Sequence, residues 1–232
     1  MTDANLPNID LPSHVAIIMD GNRRWAKERG LSPQEGHKAG FERFKEIVQL
    51  LFDRGVTYVT VYAFSTENWK RTDEEVGALM GLMTHAIKNE IQNYRNKNIR
   101  VNIIGRRQDL PDDLQSELKN IEEETSSKDG NVLNVAISYG GKSEIVDAVS
   151  KIEADGGEVT EKSISDNLYT KGQPNPELVI RTGGQPRLSN FLMWQTDYSE
   201  IYFTDVLWPD FDEKELDKTL EFYAKIKRNF GK

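Results

Sequence analysis

Short, continuous apolar runs alternate along this chain with longer stretches in which apolar residues recur every three or four positions. Residues 15–19 (VAIIM) form such a run between polar neighbours, the pattern of a strand buried on both faces. It opens into Asp20-Gly21-Asn22, and a helix is expected from Arg23. Over residues 40–54, Phe41, Phe44, Ile47, Val48, Leu51 and Phe52 share one helical face, and Gly55 ends the pattern. Residues 56–64 (VTYVTVYAF), rich in β-branched and aromatic side chains, read as the next strand. Strand, helix, strand is a βαβ unit with a parallel pair.

The alternation continues with a helix over 74–94, striped by Leu79, Met80, Met83, Ile87 and Ile91, then a strand over 100–104. A helix over 112–124, a strand over 132–137, a helix over 142–154 and a strand over 178–180 follow. Within 191–211 a second β-rich run is expected with Glu200 at its head, and residues 213–232 read as a charged amphipathic helix. The fold class is α/β: a single domain with a central parallel β-sheet flanked by helices. Residues 1–13 form a short polar tail before a domain spanning 14–232.

Composition narrows the chemistry. The chain has 232 residues and a net charge of -8, which argues against nucleic acid as a partner because that binding relies on clustered Lys and Arg. It has no cysteine, so disulfides, thiolate nucleophiles and Cys-ligated zinc are excluded, and a reducing, cytoplasmic setting is expected. No apolar stretch approaches the length of a membrane span.

Each strand ends in a polar or Gly-rich loop, and in α/β proteins ligands sit outside such ends. The first loop sets Asp20, a candidate metal ligand, before Gly21, Asn22, Arg23, Arg24 and Trp25, where backbone N–H groups and two guanidinium groups suit an anion. A phosphate ester with a divalent cation fits both halves. A second cluster, 181–190 (RTGGQPRLSN), holds Arg181, Arg187 and Ser189 around a Gly-Gly turn that lets the backbone approach a ligand. Beyond it, Glu200 is either a second metal ligand or a surface carboxylate. The third element is 65–71 (STENWKR), where Ser65, Thr66, Glu67, Asn68 and Arg71 surround Trp69, a residue type more often core than cofactor site. His37 is a candidate acid, base or phosphate donor, with a helix-cap role as the alternative, and His14 and His85 read as structural. Without paired His spacing or a P-loop, Mg2+ held by few carboxylates plus phosphate oxygens is the economical cofactor.

Together the segments HVAIIMDGNRRWAKERG, EGHKAG, YAFSTENWKR, SYGG, LVIRTGGQPRLSNFLMWQ and SEIYFTDVLWPDF resemble the cis-prenyltransferase family, whose bacterial members include undecaprenyl diphosphate synthase. The resemblance runs from about His14 to Phe211. It implies a homodimer and a hydrophobic tunnel between sheet and helices. The implied reaction joins isopentenyl diphosphate to an allylic diphosphate, with farnesyl diphosphate the expected primer, making a new cis double bond in each cycle. By position, Asp20 resembles the family's aspartate at magnesium and the allylic diphosphate, with Gly21, Asn22 and Arg24 at the phosphates and His37 beside them. Ser65 and Asn68 resemble residues at the reacting centre, and Arg71 a phosphate contact. Arg181, Arg187 and Ser189 resemble the isopentenyl diphosphate pocket, Glu200 a metal-associated glutamate, and Arg228 and Gly231 a tail that crosses to a neighbouring active site. A long product released by transient membrane contact is expected.

The chain departs from the family pattern at four places. Gln185-Pro186 stands where many members have Glu-His or a similar pair, and Pro33 where many have arginine, so that one phosphate contact is expected to be either missing or supplied by Lys27 or Arg29. Thr72 replaces a common proline and Asn229 a second tail arginine. Among rivals, a HAD-type phosphatase needs an aspartate at position 18, which is Ile18, and a trans-prenyl synthase needs Asp-Asp-x-x-Asp, which 112–116 lacks. A noncatalytic partner subunit would have a degraded aspartate loop, and here Asp20, Asn22 and Arg24 are all present.

Overall fold

The structure is a computed structural model that describes residues 10–226, with 89–95 as backbone only. Six strands form one parallel sheet in the order β3-β4-β2-β1-β5-β6. They are β1 (His14–Ile18), β2 (Tyr58–Ser65), β3 (Ile99–Ile104), β4 (Asn131–Tyr139), β5 (Leu178–Arg181) and β6 (Glu200–Phe203). Seven α-helices are described: α1 (Asn22–Glu28), α2 (Pro33–Asp53), α3 (Asp73–Arg95), α4 (Asp112–Thr125), α5 (Gly141–Ala154), α6 (Glu161–Ser165) and α7 (Glu213–Ala224). All five residues of β1 are buried, because helices and loops cover both faces of the sheet. On one face Val15, Ile17, Val59 and Val61 pack against Ile47 and Leu51 of α2 and Leu216 and Leu220 of α7. The same face continues over β3 and β4, where Val101, Ile103 and Ile137 meet Leu114 and Leu118 of α4 and Met80 of α3. Ala16, Ile18 and Val179 point to the other face, against Tyr139, Phe191 and Leu192.

The expected strands and long helices are present, with shifted ends. Helix α2 starts at Pro33, seven residues before the apolar stripe at Gly40, because Ser32 and Glu35 cap it reciprocally and Pro33 suits its first turn. The short α6 carries no apolar stripe to announce it. Within 191–211 only β6 is a strand; Phe191 and Leu192 are buried in turn backbone, so their apolarity reflects packing rather than pleating. Helix α7 ends at Ala224, and Arg228, Asn229 and Gly231 lie outside the described residues.

Candidate active site

Ile18 of β1 stands opposite both Tyr62 of β2 and Arg181 of β5, so the loops leaving these strands meet at the carboxyl edge of the sheet. The Asp20 backbone is pinned there: its carbonyl accepts from the Thr182 hydroxyl (2.6 Å) and the Trp208 N–H (3.1 Å). Its carboxylate accepts from Arg181 Nη2 at 2.9 Å and from Arg24 Nη2 at 3.2 Å. Arg181, only 4% exposed, also donates through Nη1 to the Ser189 hydroxyl (2.7 Å) and to the Arg187 carbonyl. Ser189 and Asn190 have φ of 50° and 65°, a left-handed pair at the turn whose Ser189 hydroxyl meets the guanidinium. Gly183 admits Arg24, since a Cβ there would lie 2.5 Å from Arg24 Nη2.

A second charged group sits beside the first. Glu75, in the first turn of α3, accepts from Arg71 Nη1 at 3.0 Å and pairs with Arg23 Nη1 at 3.2 Å. His37, half-buried on α2, is pushed down to about 4 by burial and by Arg71, helped by Arg23 and opposed by Glu75. It is therefore uncharged at neutral pH, with a buried Nε2 that has no partner. Ser65, Asn68 and Arg71 fall three residues apart around a 3-10 turn over Thr66–Lys70, which puts them on one side, and Asn68 Oδ1 accepts from the Ser65 N–H (3.1 Å).

The arginines of both groups, with Asp20, His37 and Ser189, line the mouth of a single cavity of about 970 Å3. Five arginines (Arg23, Arg24, Arg71, Arg181 and Arg187) and two acids (Asp20 and Glu67) border it, so the mouth is locally positive in a chain of net charge -8. Behind the mouth the walls turn apolar: Phe41 and Phe44 of α2, Leu82 and Met83 of α3, Val61 and Ala63 of β2, and Leu118 and Ile121 of α4. A polar entrance that continues into a greasy interior suits an amphiphile with an anionic head.

Most of the residues singled out from the sequence meet here: Asp20, Gly21, Asn22, Arg23, Arg24, His37, Ser65, Glu67, Asn68, Arg71, Arg181, Arg187 and Ser189 all border the cavity. Four do not. Trp25 turns outward, donating to Asp210 Oδ1 at 2.7 Å under the Arg29 guanidinium. Trp69 is core, edge-on to Phe64 at 5.0 Å and donating to the Ser138 hydroxyl. Thr66 shares Trp69's side of the 3-10 turn and its hydroxyl donates to Glu67. Glu200 opens β6 opposite Leu178, three residues before the level of Arg181, so within this chain it stands roughly 10 Å down the sheet from that level. Nor does the substitute cation for Pro33 come from Arg29, which pairs with Asp210 at 3.0 Å, or from Lys27, which is not on the wall. Met80 belongs to the core beneath α3 rather than the cavity wall. Sequence reading missed Glu75, although its i,i+4 spacing from Arg71 was a signal, and missed Thr182 and Trp208, whose contacts with Asp20 span more than 160 residues.

Among the described residues no three His, Asp or Glu side chains gather as a metal cage. The donor set at Asp20, one partly exposed carboxylate beside arginines that suit phosphate, fits a hard cation such as Mg2+ that takes its other ligands from substrate and water.

The family model described as "Putative undecaprenyl diphosphate synthase" matches residues 18–231. The chain belongs to this prenyltransferase family. Its relatives include the isoprenyl transferase of Fusobacterium nucleatum, 52% identical over 223 residues that cover 96% of each chain. The isoprenyl transferase of Chromobacterium violaceum is 46% identical, covering 95% of this chain and 88% of that one. Among solved structures, lavandulyl diphosphate synthase from Lavandula x intermedia, in complex with dimethylallyl diphosphate, superposes with a TM-score of 0.92 at 35% identity, covering 96% of this chain and 99% of that one. The prenyltransferase is thus a cis-prenyltransferase.

Proposed function

We propose that this prenyltransferase condenses isopentenyl diphosphate with an allylic diphosphate, farnesyl diphosphate as primer, in repeated Mg2+-dependent cycles. The product is a long cis-polyprenyl diphosphate, undecaprenyl diphosphate for a cell-wall lipid carrier. The observation that carries this reading is the continuity of an arginine-lined mouth with an apolar interior in one cavity of about 970 Å3, near the top of the range of roughly 300–1,000 Å3 that encloses drug-sized ligands.

The allylic diphosphate lies at Arg24, Arg71 and the neutral His37, and isopentenyl diphosphate at Arg181, Arg187 and Ser189. Asp20 would hold magnesium, which when bound would supply charge neutralisation on the diphosphate. The arginines add fixed positive charge where negative charge develops, at the mouth of a cavity whose inner walls, Phe41, Phe44 and Leu82 among them, are apolar. The allylic C–O bond breaks, the isopentenyl double bond attacks the cation-like carbon, and a proton leaves; no nucleophilic side chain is needed. An amide such as Asn68 is too weak a base to take that proton, and its oxygen is tied to the Ser65 N–H. The neutral imidazole of His37 and a diphosphate oxygen are the groups able to accept it.

The chain acts as a cytoplasmic homodimer in this reading, with its tail at Arg228 and Gly231 reaching the neighbouring site and the product leaving by transient contact with a membrane. Exposed Tyr198 and Phe203, at β6, support an apolar surface for a second copy. No described helix is long and apolar enough to cross a membrane. A short-chain activity is the second reading, because lavandulyl diphosphate synthase shares the fold so closely.

The test is incubation with radiolabelled isopentenyl diphosphate, farnesyl diphosphate and magnesium, followed by separation of extracted products by length. A ladder ending at a long polyprenyl diphosphate is expected. A single short product overturns the chain length, and no incorporation with farnesyl, geranyl or dimethylallyl primers overturns the activity in favour of a noncatalytic partner subunit.

A further inference from the structure

Arg71 and Arg23 reach the mouth from different elements, one from the end of the 3-10 turn and one from α1, yet both end on the same oxygen, Glu75 Oε1, at 3.0 and 3.2 Å. We propose that Glu75 is an internal counter-ion of the allylic diphosphate subsite, which holds Arg23 and Arg71 together and yields both to an incoming diphosphate. This rests on the reading of the mouth as a diphosphate site.

Three features of the geometry support an exchangeable pairing over a fixed strut. First, a diphosphate offers more charge and more acceptor oxygens than one carboxylate, so it outcompetes Glu75 for two guanidinium forks. Second, Arg23 is free to turn: its side chain is 56% exposed, on a helix at the surface. Third, Glu75 has a source of favourable electrostatics besides the arginines, since it sits with Asp73 and Glu74 in the first turn of the 23-residue α3, where the helix dipole favours negative charge. Both arginines border the main cavity, whereas Glu75 borders an adjoining groove that shares His37, Leu79 and Leu82 with it. The carboxylate therefore pulls the arginines from behind and leaves the mouth itself clear.

Arg23 then answers for the cation absent at Pro33. Arg29 is committed to Asp210 and Trp25 on the outer side of α1, and Arg23 is the residue of that helix that joins Arg71. The cost of this design is a standing repulsion between Glu75 and bound diphosphate, which weakens binding and speeds product release.

The experiment is calorimetric titration of the full chain with inorganic pyrophosphate in magnesium buffer, for the unaltered protein, Glu75→Gln and Glu75→Asp, alongside steady-state kinetics with an allylic primer. Glu75→Gln should bind pyrophosphate about tenfold more tightly, with KM for the primer and kcat both falling, because the arginines lose their competitor and product leaves more slowly. Glu75→Asp, which keeps the charge, should stay within a few-fold of the unaltered protein. Equal or weaker binding by a well-folded Glu75→Gln overturns the inference, because a scaffold loses affinity when removed. If Glu75→Gln fails to fold, Arg23→Ala reads the same clamp: binding at least fivefold weaker supports it, and unchanged binding overturns it. No pyrophosphate binding by the unaltered protein overturns the diphosphate site together with the inference. Binding that Glu75→Gln leaves unchanged overturns the inference alone.

Discussion

Asp20 Oδ2 lies 2.9 Å from Arg181 Nη2, joining residues 161 positions apart and tying the end of β1 to the end of β5. Arg181 is nearly buried and has three acceptors around it, so it holds its place independently of substrate. Asp20 is about a third exposed, with one oxygen on each arginine, and is the side of the pair able to change partners.

Asp20→Asn keeps the shape of this junction and removes its charge. Turnover should drop at least about 100-fold, the scale of losing one preorganised electrostatic group. Asp20→Ala should also cost roughly 1–2 kcal/mol of stability, less than a fully buried pair because water reaches the carboxylate. Turnover within threefold of the unaltered protein, measured with thermal melting as the folding control, would remove Asp20 from the centre of the site.

Ala86 is a small side chain on the cavity wall contributed by α3. Ala86→Phe should fill part of the apolar interior and shorten the product by one or more isoprene units, while incorporation of the first unit continues. Product chromatography decides it, and an unchanged ladder would show that the growing chain does not pass Ala86.

Gly40 lets α2 settle on α1 and Trp208. A Cβ there would lie 2.1 Å from Asn22 Oδ1 and 3.0 Å from Trp208 Cδ1, while the Gly40 carbonyl accepts from the Trp208 indole at 2.8 Å. Gly40→Ala should cost about 1–3 kcal/mol through overpacking and should lower activity by displacing Asn22 from the mouth. A urea midpoint equal to that of the unaltered protein would show that the helices yield freely here.

Acid should destabilise the fold through two histidines. His14, fully buried, donates from Nδ1 to the Pro174 carbonyl and accepts at Nε2 from the Thr60 hydroxyl, both at 2.7 Å, and burial pushes it down to about 4. His37 is pushed down to about 4 as well, by burial and then Arg71. Since both folded values lie below the ordinary 6.5, the unfolded chain binds protons that the folded chain refuses. The histidine contribution is therefore complete above about pH 6.5 and is lost as the pH falls toward 4, by about 2 kcal/mol per histidine at pH 5. Urea midpoints at pH 7 and pH 5 measure it, and His37→Asn should remove about half of the histidine share of the difference. An equal drop in that variant would assign the acid sensitivity elsewhere.

How far the fold could be read depended on how each segment is buried. Strand β1 is covered on both faces and so appears as an unbroken apolar run, and α4 is covered on one face and so appears as a stripe. The start of α2 was hidden because Gly36 and Gly40, poor helix formers, are there for close approach to Asn22, while the Ser32 and Glu35 capping pair was the available signal. Phe191 and Leu192 were misleading for a related reason: burial requires apolar atoms but no particular backbone.

Strand and helix periodicities are local, so the chain's own order of residues determined the α/β alternation, the parallel sheet and the convergence of Asp20, Ser65 and Arg181 on one edge. Three-residue spacing likewise placed Ser65, Asn68 and Arg71 together. Only the tertiary structure decided which charges share a partner: Arg181 with Asp20, Arg23 and Arg71 with Glu75, Arg29 with Asp210. It also turned Trp25 and Trp69 away from the cavity and set Glu200 down the sheet from Arg181. Such pairings form between elements distant in sequence, and their geometry follows from how helices pack on the sheet, which no local pattern of residues encodes.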